Sequence, residues 1–198
     1  MVSFTPAEDA LATEILCGIS KTGSCHLSAI ARTLDENVPL IRTEQRLSKQ
    51  LATSVSRLDA LPDAWLRHVG PVARRRAFVA VDMSDISKPY GRAFEHLATI
   101  RDASSPQKEI EPGYWLISID ASDDNTHARL PLWMELFSTQ SPSYQGWMET
   151  VHRAMLAVAR RTSPDAMRLL DRGFDHKGTF DVLDFFATAL DHPAETKP

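Results

Sequence analysis

The sequence Ala77-Phe78-Val79-Ala80-Val81-Asp82-Met83-Ser84-Asp85 decides the fold of this chain. Its first five residues are small, β-branched or aromatic, and no polar residue interrupts them before Asp82. Such a run predicts a strand buried on both faces, at the centre of a sheet with helices on either side. A carboxylate at the carboxyl end of this strand lies where open α/β sheets carry their functional groups.

A second apolar run, Met167-Arg168-Leu169-Leu170, also ends in an aspartate, Asp171. The periodicity between the two runs predicts a helix, an antiparallel hairpin and a second helix, and a last helix follows Asp171. The predicted helices cover residues 92–100, 145–161 and 179–190, and the two strands of the hairpin cover residues 113–120 and 130–137. This order is typical of a mixed α/β, ribonuclease-H-like core up to its fourth strand. The first and fourth strands of such a core are parallel neighbours, which predicts that Asp82 and Asp171 lie side by side.

The N-terminal region predicts three helices, at about 5–22, 26–34 and 41–58, from capping signals and apolar stripes. We therefore divide the chain into a helical unit at 1–72, a candidate DNA-binding unit, and an incomplete ribonuclease-H-like domain at 73–198. Arg46 and Lys49 make the third helix basic, as in a helix-turn-helix that enters a DNA groove. Acidic residues nearby balance this charge, which favours the alternative of a plain helical bundle with a solvated basic face.

Arg74, Arg75 and Arg76 form a basic cluster directly before the central strand. Contact with the phosphates of DNA is one interpretation of this cluster. An ordinary charged linker is the other, and the sequence favours neither.

Composition sets the remaining limits. The chain has 198 residues and a net charge of −4, so its overall charge gives no case for nucleic acid. Two cysteines are too few for a disulfide framework, and they have no metal-ligand spacing. The N-terminus carries no signal-peptide pattern, and no apolar run is long enough to span a bilayer. We expect a cytoplasmic protein without a membrane partner.

Two carboxylates held close together repel each other unless a cation lies between them. We predict that Asp82 and Asp171 bind Mg²⁺, or Mn²⁺ in its place, and that they are the catalytic residues of a phosphoryl-transfer site. A further carboxylate is needed in most such sites, and Asp85 and Asp175 are candidates. Taken singly, each aspartate is better explained as a turn cap or an ion-pair partner, whereas the pair in equivalent positions favours function.

An ordered set of segments resembles a DDE transposase of a bacterial insertion sequence. The segments are Val81–Gly91, Gly113–Leu116, Leu130–Leu132 with Leu136–Ser138, and Leu170–Asp175, together with His26–Arg32 and Gln45–Leu51 in the helical region. The resemblance is to the group with a β-rich insertion before its last acidic residue. It implies DNA strand transfer at the terminal repeats of the element, with Mg²⁺ and three acidic residues, of which Asp82 and Asp171 match the first two.

The chain departs from this pattern at its third acid. Glu195 follows Pro193 in a polar tail and does not match the helical glutamate of the family, and the fifth core strand is also missing. The resemblance therefore implies a truncated or split transposase, inactive alone or completed by a second transposase chain or a homodimer. The alternative is a non-catalytic DNA-binding or regulatory protein. A self-sufficient nuclease that uses Asp85 or Asp175 is less favoured.

Overall fold

The computed structural model describes residues 4–58, 61–91, 93–101, 110–123 and 126–189, with backbone alone at 54–58, 126–127 and 185–189. The chain divides into two compact units, Met1–Ala64 and Trp65–Pro198. The boundary between Ala64 and Trp65 lies eight residues before the 72/73 boundary predicted from the sequence. It falls within the helix Leu61–Ala73, most of which belongs to the second unit.

The first unit contains α1 (Pro6–Thr22), α2 (Leu27–Thr33) and α3 (Leu40–Leu58). Helix α1 begins with the predicted capping box, in which Thr5 N donates to Glu8 Oε2 at 2.7 Å and Glu8 N donates to Thr5 Oγ1 at 3.4 Å. The three predicted helices are thus confirmed. None of the helices in the described ranges is both long and apolar enough to cross a membrane.

A small apolar core joins the helices of the first unit. Its buried side chains are Leu11 of α1, Ile30 and Ala31 of α2, and Leu47 of α3. Gly18 lies against Ile30 so closely that a β-carbon there would come within 2.5 Å of Ile30 Cγ2. Glycine at this position lets α1 and α2 approach each other.

The second unit is built on a mixed sheet of five strands with helices α4, α5 and α6. The strands are β1 (Phe78–Ser87), β2 (Ala98–Arg101), β3 (Ile110–Asp123), β4 (Thr126–Phe137) and β5 (Met167–Leu170). The helices are α4 (Leu61–Ala73), α5 (Trp147–Ala159) and α6 (Lys177–Ala189), and a short 3₁₀ turn covers Arg172–Phe174. Strand β3 pairs antiparallel with β1, β2 and β4, and β1 pairs parallel with β5. The chain is therefore a mixed α/β protein, as predicted.

The predicted helix at 92–100 is wrong for the described residues 93–101. Residues 98–101 form strand β2, in which Ala98 and Ile100 are buried while Thr99 and Arg101 are exposed. His96 has a φ of 51°, in the left-handed region, which stops a helix from continuing through it. Pairing with β3 thus overrides the local helical pattern.

Helix α4 was not predicted, because two prolines, Pro62 and Pro71, interrupt its sequence pattern. In the structure α4 places Leu66, Val69 and Ala73 in the core. Pro62 lies in the first turn, where the missing N–H costs no hydrogen bond.

The prediction that β1 is buried on both faces is wrong. Val79 and Val81 are 3% and 5% exposed, and they pack with α4, α5 and the inner residues of β3. Phe78 and Ala80, which point to the opposite face, are only half-buried. Apolar side chains of other strands lie exposed on that second face: Met134, Leu136, Met167 and Leu169. The helices that form this core therefore cover one face of the sheet, not both.

Candidate active site

The parallel pairing of β1 with β5 brings Asp82 and Asp171 close together, just beyond the last paired position of these two strands. The prediction that Asp82 ends its strand is wrong, because β1 continues past Asp82 to Ser87 and stays paired with β3 over that length. Val81 pairs with Leu170 in the last position of this register, and Asp82 and Asp171 are the next residues of their chains. Asp171 keeps extended backbone angles, φ −71° and ψ 161°. Because neighbouring strands lie about 4.8 Å apart, the α-carbons of the two aspartates are separated by roughly 5 Å.

Both carboxylates are exposed, and each has one local hydrogen bond. Ser84 Oγ donates to Asp82 Oδ2 at 3.2 Å, and the backbone N–H of Arg172 donates to Asp171 Oδ1 at 2.5 Å. The second bond caps the 3₁₀ turn that follows β5. Asp171 therefore has a structural role in the turn in addition to its position beside Asp82.

A third carboxylate, Asp120 of β3, lies close to this pair and was not selected from the sequence. Asp120 pairs with Ala80 and Asp82 pairs with Ser118, so the two aspartates are diagonal neighbours on the same face of the sheet. Burial raises the pKa of Asp120, Arg129 lowers it, and the negative charge of Asp82 raises it further. The sequence carried one signal of this residue, an aspartate at the end of the predicted strand 113–120.

Asp85 does not join Asp82. The two residues are three positions apart in a continuous strand, so their side chains point to opposite faces of the sheet. Asp175 follows the 3₁₀ turn as an exposed residue. Across the described part of the chain, no group of three or more histidine, cysteine, aspartate or glutamate side chains is arranged to hold a metal ion.

A cleft of about 470 Å³ opens beside Asp171. Its walls come from β5, the 3₁₀ turn and α6, and they include Arg172, Phe174, Asp175 and Phe180. Arg172 is exposed at the rim, next to the carboxylate of Asp171. An anionic substrate in this cleft would meet a cation and a carboxylate side by side.

The basic residues predicted in the first unit differ in their surroundings. Arg46 donates to Glu14 Oε2 at 2.8 Å and to Glu36 Oε1 at 2.6 Å, and its side chain is 32% exposed. The hydrogen bond to Glu14 is the main cause that raises the pKa of Arg46. Lys49 is exposed on the same helix. Arg46 therefore ties the helices of its unit together, whereas Lys49 faces solvent.

The three arginines before β1 differ in their exposure to solvent and in their ion pairs. Arg74 and Arg75 are exposed at the end of α4. Arg76 is half-buried and forms an ion pair with Asp123 at the far end of β3. The same carboxylate accepts a hydrogen bond from Ala77 N at 3.2 Å, so it holds the start of β1 in place.

Comparison of the chain with protein-family models, with curated proteins and with solved structures gave no match in any of the three.

Proposed function

We propose that this chain is the N-terminal part of an insertion-sequence DDE transposase, which acts on DNA through metal-dependent phosphoryl transfer. The observation that carries the proposal is the position of Asp82 and Asp171 on neighbouring parallel strands, β1 and β5. The family resemblance assigns these two residues as its first and second acids. The adjacency of the two residues in the sheet supports this assignment.

The strand order supports the same proposal. Strands β4, β3, β1 and β5 follow one another across the sheet, and β1 with β5 is its parallel pair. A ribonuclease-H-like core has this order through its fourth strand, with an antiparallel three-strand meander followed by a parallel crossover. The short strand β2 is an addition to that pattern.

The residues fit one divalent metal ion. Mg²⁺ binds to one or two protein carboxylates and completes its octahedron with waters and phosphate oxygens, and Mn²⁺ accepts the same donors. Asp82 and Asp171 would supply the two carboxylates. When bound, the ion activates a water or hydroxyl nucleophile and stabilises the oxygen that leaves phosphorus. Arg172, at the rim of the adjacent cleft, would hold a neighbouring phosphate by its charge.

With two carboxylates, the chain positions one ion rather than two. The DDE pattern needs a third acidic residue, and Asp120 does not match it because it lies on β3 and its pKa is raised. We therefore propose that strand transfer requires a further carboxylate besides Asp82 and Asp171. The partner DNA would be the terminal repeats of the element.

A non-catalytic DNA-binding or regulatory role is the second candidate. Its specific support is the exposure of Arg74, Arg75 and Lys49, which leaves their charges available to phosphates. This role needs neither the metal ion nor the third carboxylate.

A nicking assay distinguishes the two candidate functions, with a plasmid that carries the sequences flanking the gene as its substrate. With Mg²⁺ or Mn²⁺ and any polypeptide encoded directly downstream, we expect the plasmid to be nicked, and we expect Asp82→Asn and Asp171→Asn to abolish nicking. Asp165→Asn, an exposed turn residue outside the site, is the matched control. Nicking that survives Asp82→Asn would refute the proposed chemistry, whereas salt-sensitive binding without nicking would favour the regulatory role.

A further inference from the structure

The C-terminal ends of α4 and α5 meet, and both ends carry arginines, of which Arg161 is half-buried and the others are exposed. Arg74 and Arg75 directly follow α4, while Arg160 caps α5 and Arg161 comes next. Arg67 lies on the last two turns of α4. We call Arg67, Arg74, Arg75, Arg160 and Arg161 the α4–α5 basic surface.

Gly70 brings the two helix ends into contact. A β-carbon at Gly70 would lie 3.8 Å from Cβ and Cδ of Arg161, so the stem of Arg161 rests on α4 at this glycine. Arg67 and Arg74 are three residues before and four residues after Gly70, on the same side of the helix. The three arginines therefore converge although they come from two separate segments.

Among the residues that the structure describes, no ion pair neutralises the charges of this surface. Within the described ranges, these five arginines have no carboxylate partner within ion-pair distance. Arg76 takes up the neighbouring carboxylate of Asp123, which leaves the other arginines without it. Cations at helix C-termini are favoured by the helix dipole, but that effect does not require five of them on two helices.

The α4–α5 basic surface lies near the start of β1, whereas Asp82 lies in the middle of this strand. Helix α4 leads directly into the start of β1, where Met167 N donates to Ala77 O at 2.8 Å. Phe78 and Asp82 are four positions apart in β1, a distance of about 13 Å along the strand. This is about four base pairs of B-form DNA at 3.4 Å per pair.

We infer that the α4–α5 basic surface binds the phosphate backbone of duplex DNA, at a place distinct from the carboxylates. Guanidinium groups suit this partner because they donate paired hydrogen bonds to phosphate oxygens. The inference rests on the proposed function for the identity of the polyanion. It adds a contact site that needs no metal ion and that extends the bound DNA at least four base pairs beyond the site of chemistry.

Binding of a labelled 30-base-pair duplex of arbitrary sequence, in EDTA and over a series of salt concentrations, tests this inference. We expect the triple variant Arg74→Gln, Arg75→Gln and Arg161→Gln to bind about tenfold or more weakly at 0.1 M salt. Each lost phosphate contact should also lower the slope of log affinity against log salt by about 0.9. The matching triple lysine variant should retain most of the affinity and slope, because it keeps the charges.

Two further variants protect the test from misfolding and from general charge effects. Arg74→Gln with Arg75→Gln changes exposed residues only and should lose part of the binding without loss of structure. Arg101→Gln, at an exposed position of β2, should bind as the wild type does. A triple glutamine variant with wild-type affinity and slope would overturn the inference, as would binding to vesicles of anionic lipid in preference to the duplex.

The outcome is separable from that of the proposed function. Asp82→Asn should not weaken duplex binding in EDTA, because the substitution removes a negative charge and Asp82 lies outside the α4–α5 basic surface. Loss of binding in the triple variant together with absent metal-dependent nicking would refute the proposed chemistry and leave the basic surface in place. Nicking that persists with unchanged duplex binding in the triple variant would refute the basic surface alone.

Discussion

The guanidinium of Arg76, two residues before β1, is paired with the carboxylate of Asp123, the last residue of β3. The side chains are 19% and 29% exposed, so the pair is shielded from solvent on most sides. Asp123 also accepts a hydrogen bond from Ala77 N. This one carboxylate therefore fixes the point at which the central strand enters the sheet.

Arg76→Gln should lower the free energy of unfolding of the second unit by about 1–3 kcal/mol, because Asp123 then loses a charged partner. All four tryptophans lie within 65–198, so their fluorescence in urea reports on this unit. Arg74→Gln, which removes an exposed charge two residues away, should change stability by less than about 0.5 kcal/mol. Equal effects of the two substitutions would contradict the structural role of Arg76.

Gly113→Ala should destabilise the second unit by about 1–3 kcal/mol. A β-carbon at Gly113 would lie 2.5 Å from the backbone oxygen of Ile86 and 2.4 Å from Cδ1 of Ile100. The carbonyl cannot rotate away without breaking the pairing of β1 with β3. Gly173→Ala is the control, since no atom lies within 4 Å of the added carbon. Urea unfolding that is the same for both variants would show that β1 and β2 do not crowd Gly113.

Arg46→Gln should weaken the first unit, because Arg46 links Glu14 of α1 to Glu36 before α3. The pair is about a third exposed, so we expect a loss of about 1 kcal/mol that diminishes at high salt. Hydrogen exchange of amides in α1 and α3 measures this opening without tryptophan signals. Lys49→Gln, on the exposed side of the same helix, should leave the exchange rates unchanged, and faster exchange there would argue against the specific role of Arg46.

Asp120→Asn should stabilise the second unit at neutral pH. Burial is the main cause that raises the pKa of Asp120, so the folded state binds its proton more tightly than the unfolded state does. The folded protein therefore loses stability as pH rises from about 4 through the raised pKa. The asparagine variant lacks this loss, and its advantage over the wild type should grow between pH 3 and pH 7. An advantage that is constant with pH would contradict the raised pKa.

The sequence predicted most elements but failed where contacts distant in sequence decide the structure. Thr5 and Glu8 are three residues apart, so their capping box could be predicted from the local sequence. The apolar stripes of α3 and α5 could be predicted for the same reason. Residues 98–101 become a strand only because 110–113 lie beside them. Burial alternates along β1, and Phe78 is half-buried because α4 and α5 pack against the opposite face of the sheet. An uninterrupted apolar run in the sequence does not show which face of the sheet the helices cover.

For the candidate site, the order of elements could be predicted from the sequence, and a parallel pair of strands was enough to predict that Asp82 and Asp171 are adjacent. Asp120 was missed because its proximity to Asp82 depends on the register of β3, which the sequence pattern does not specify. The pairing of Arg76 with Asp123 was missed for the same reason.

Affinity for Mn²⁺ tests the central claim most directly, because the claim is that Asp82 and Asp171 share one ion. Titration calorimetry should give one weak site in the wild type, with a loss of about tenfold or more, about 1.4 kcal/mol, in Asp82→Asn and in Asp171→Asn. The double variant should lose much less than the sum of the two single losses, as expected for residues that act together, and Asp165→Asn should bind as the wild type does. Wild-type affinity in either single variant, or losses that simply add, would contradict the shared site.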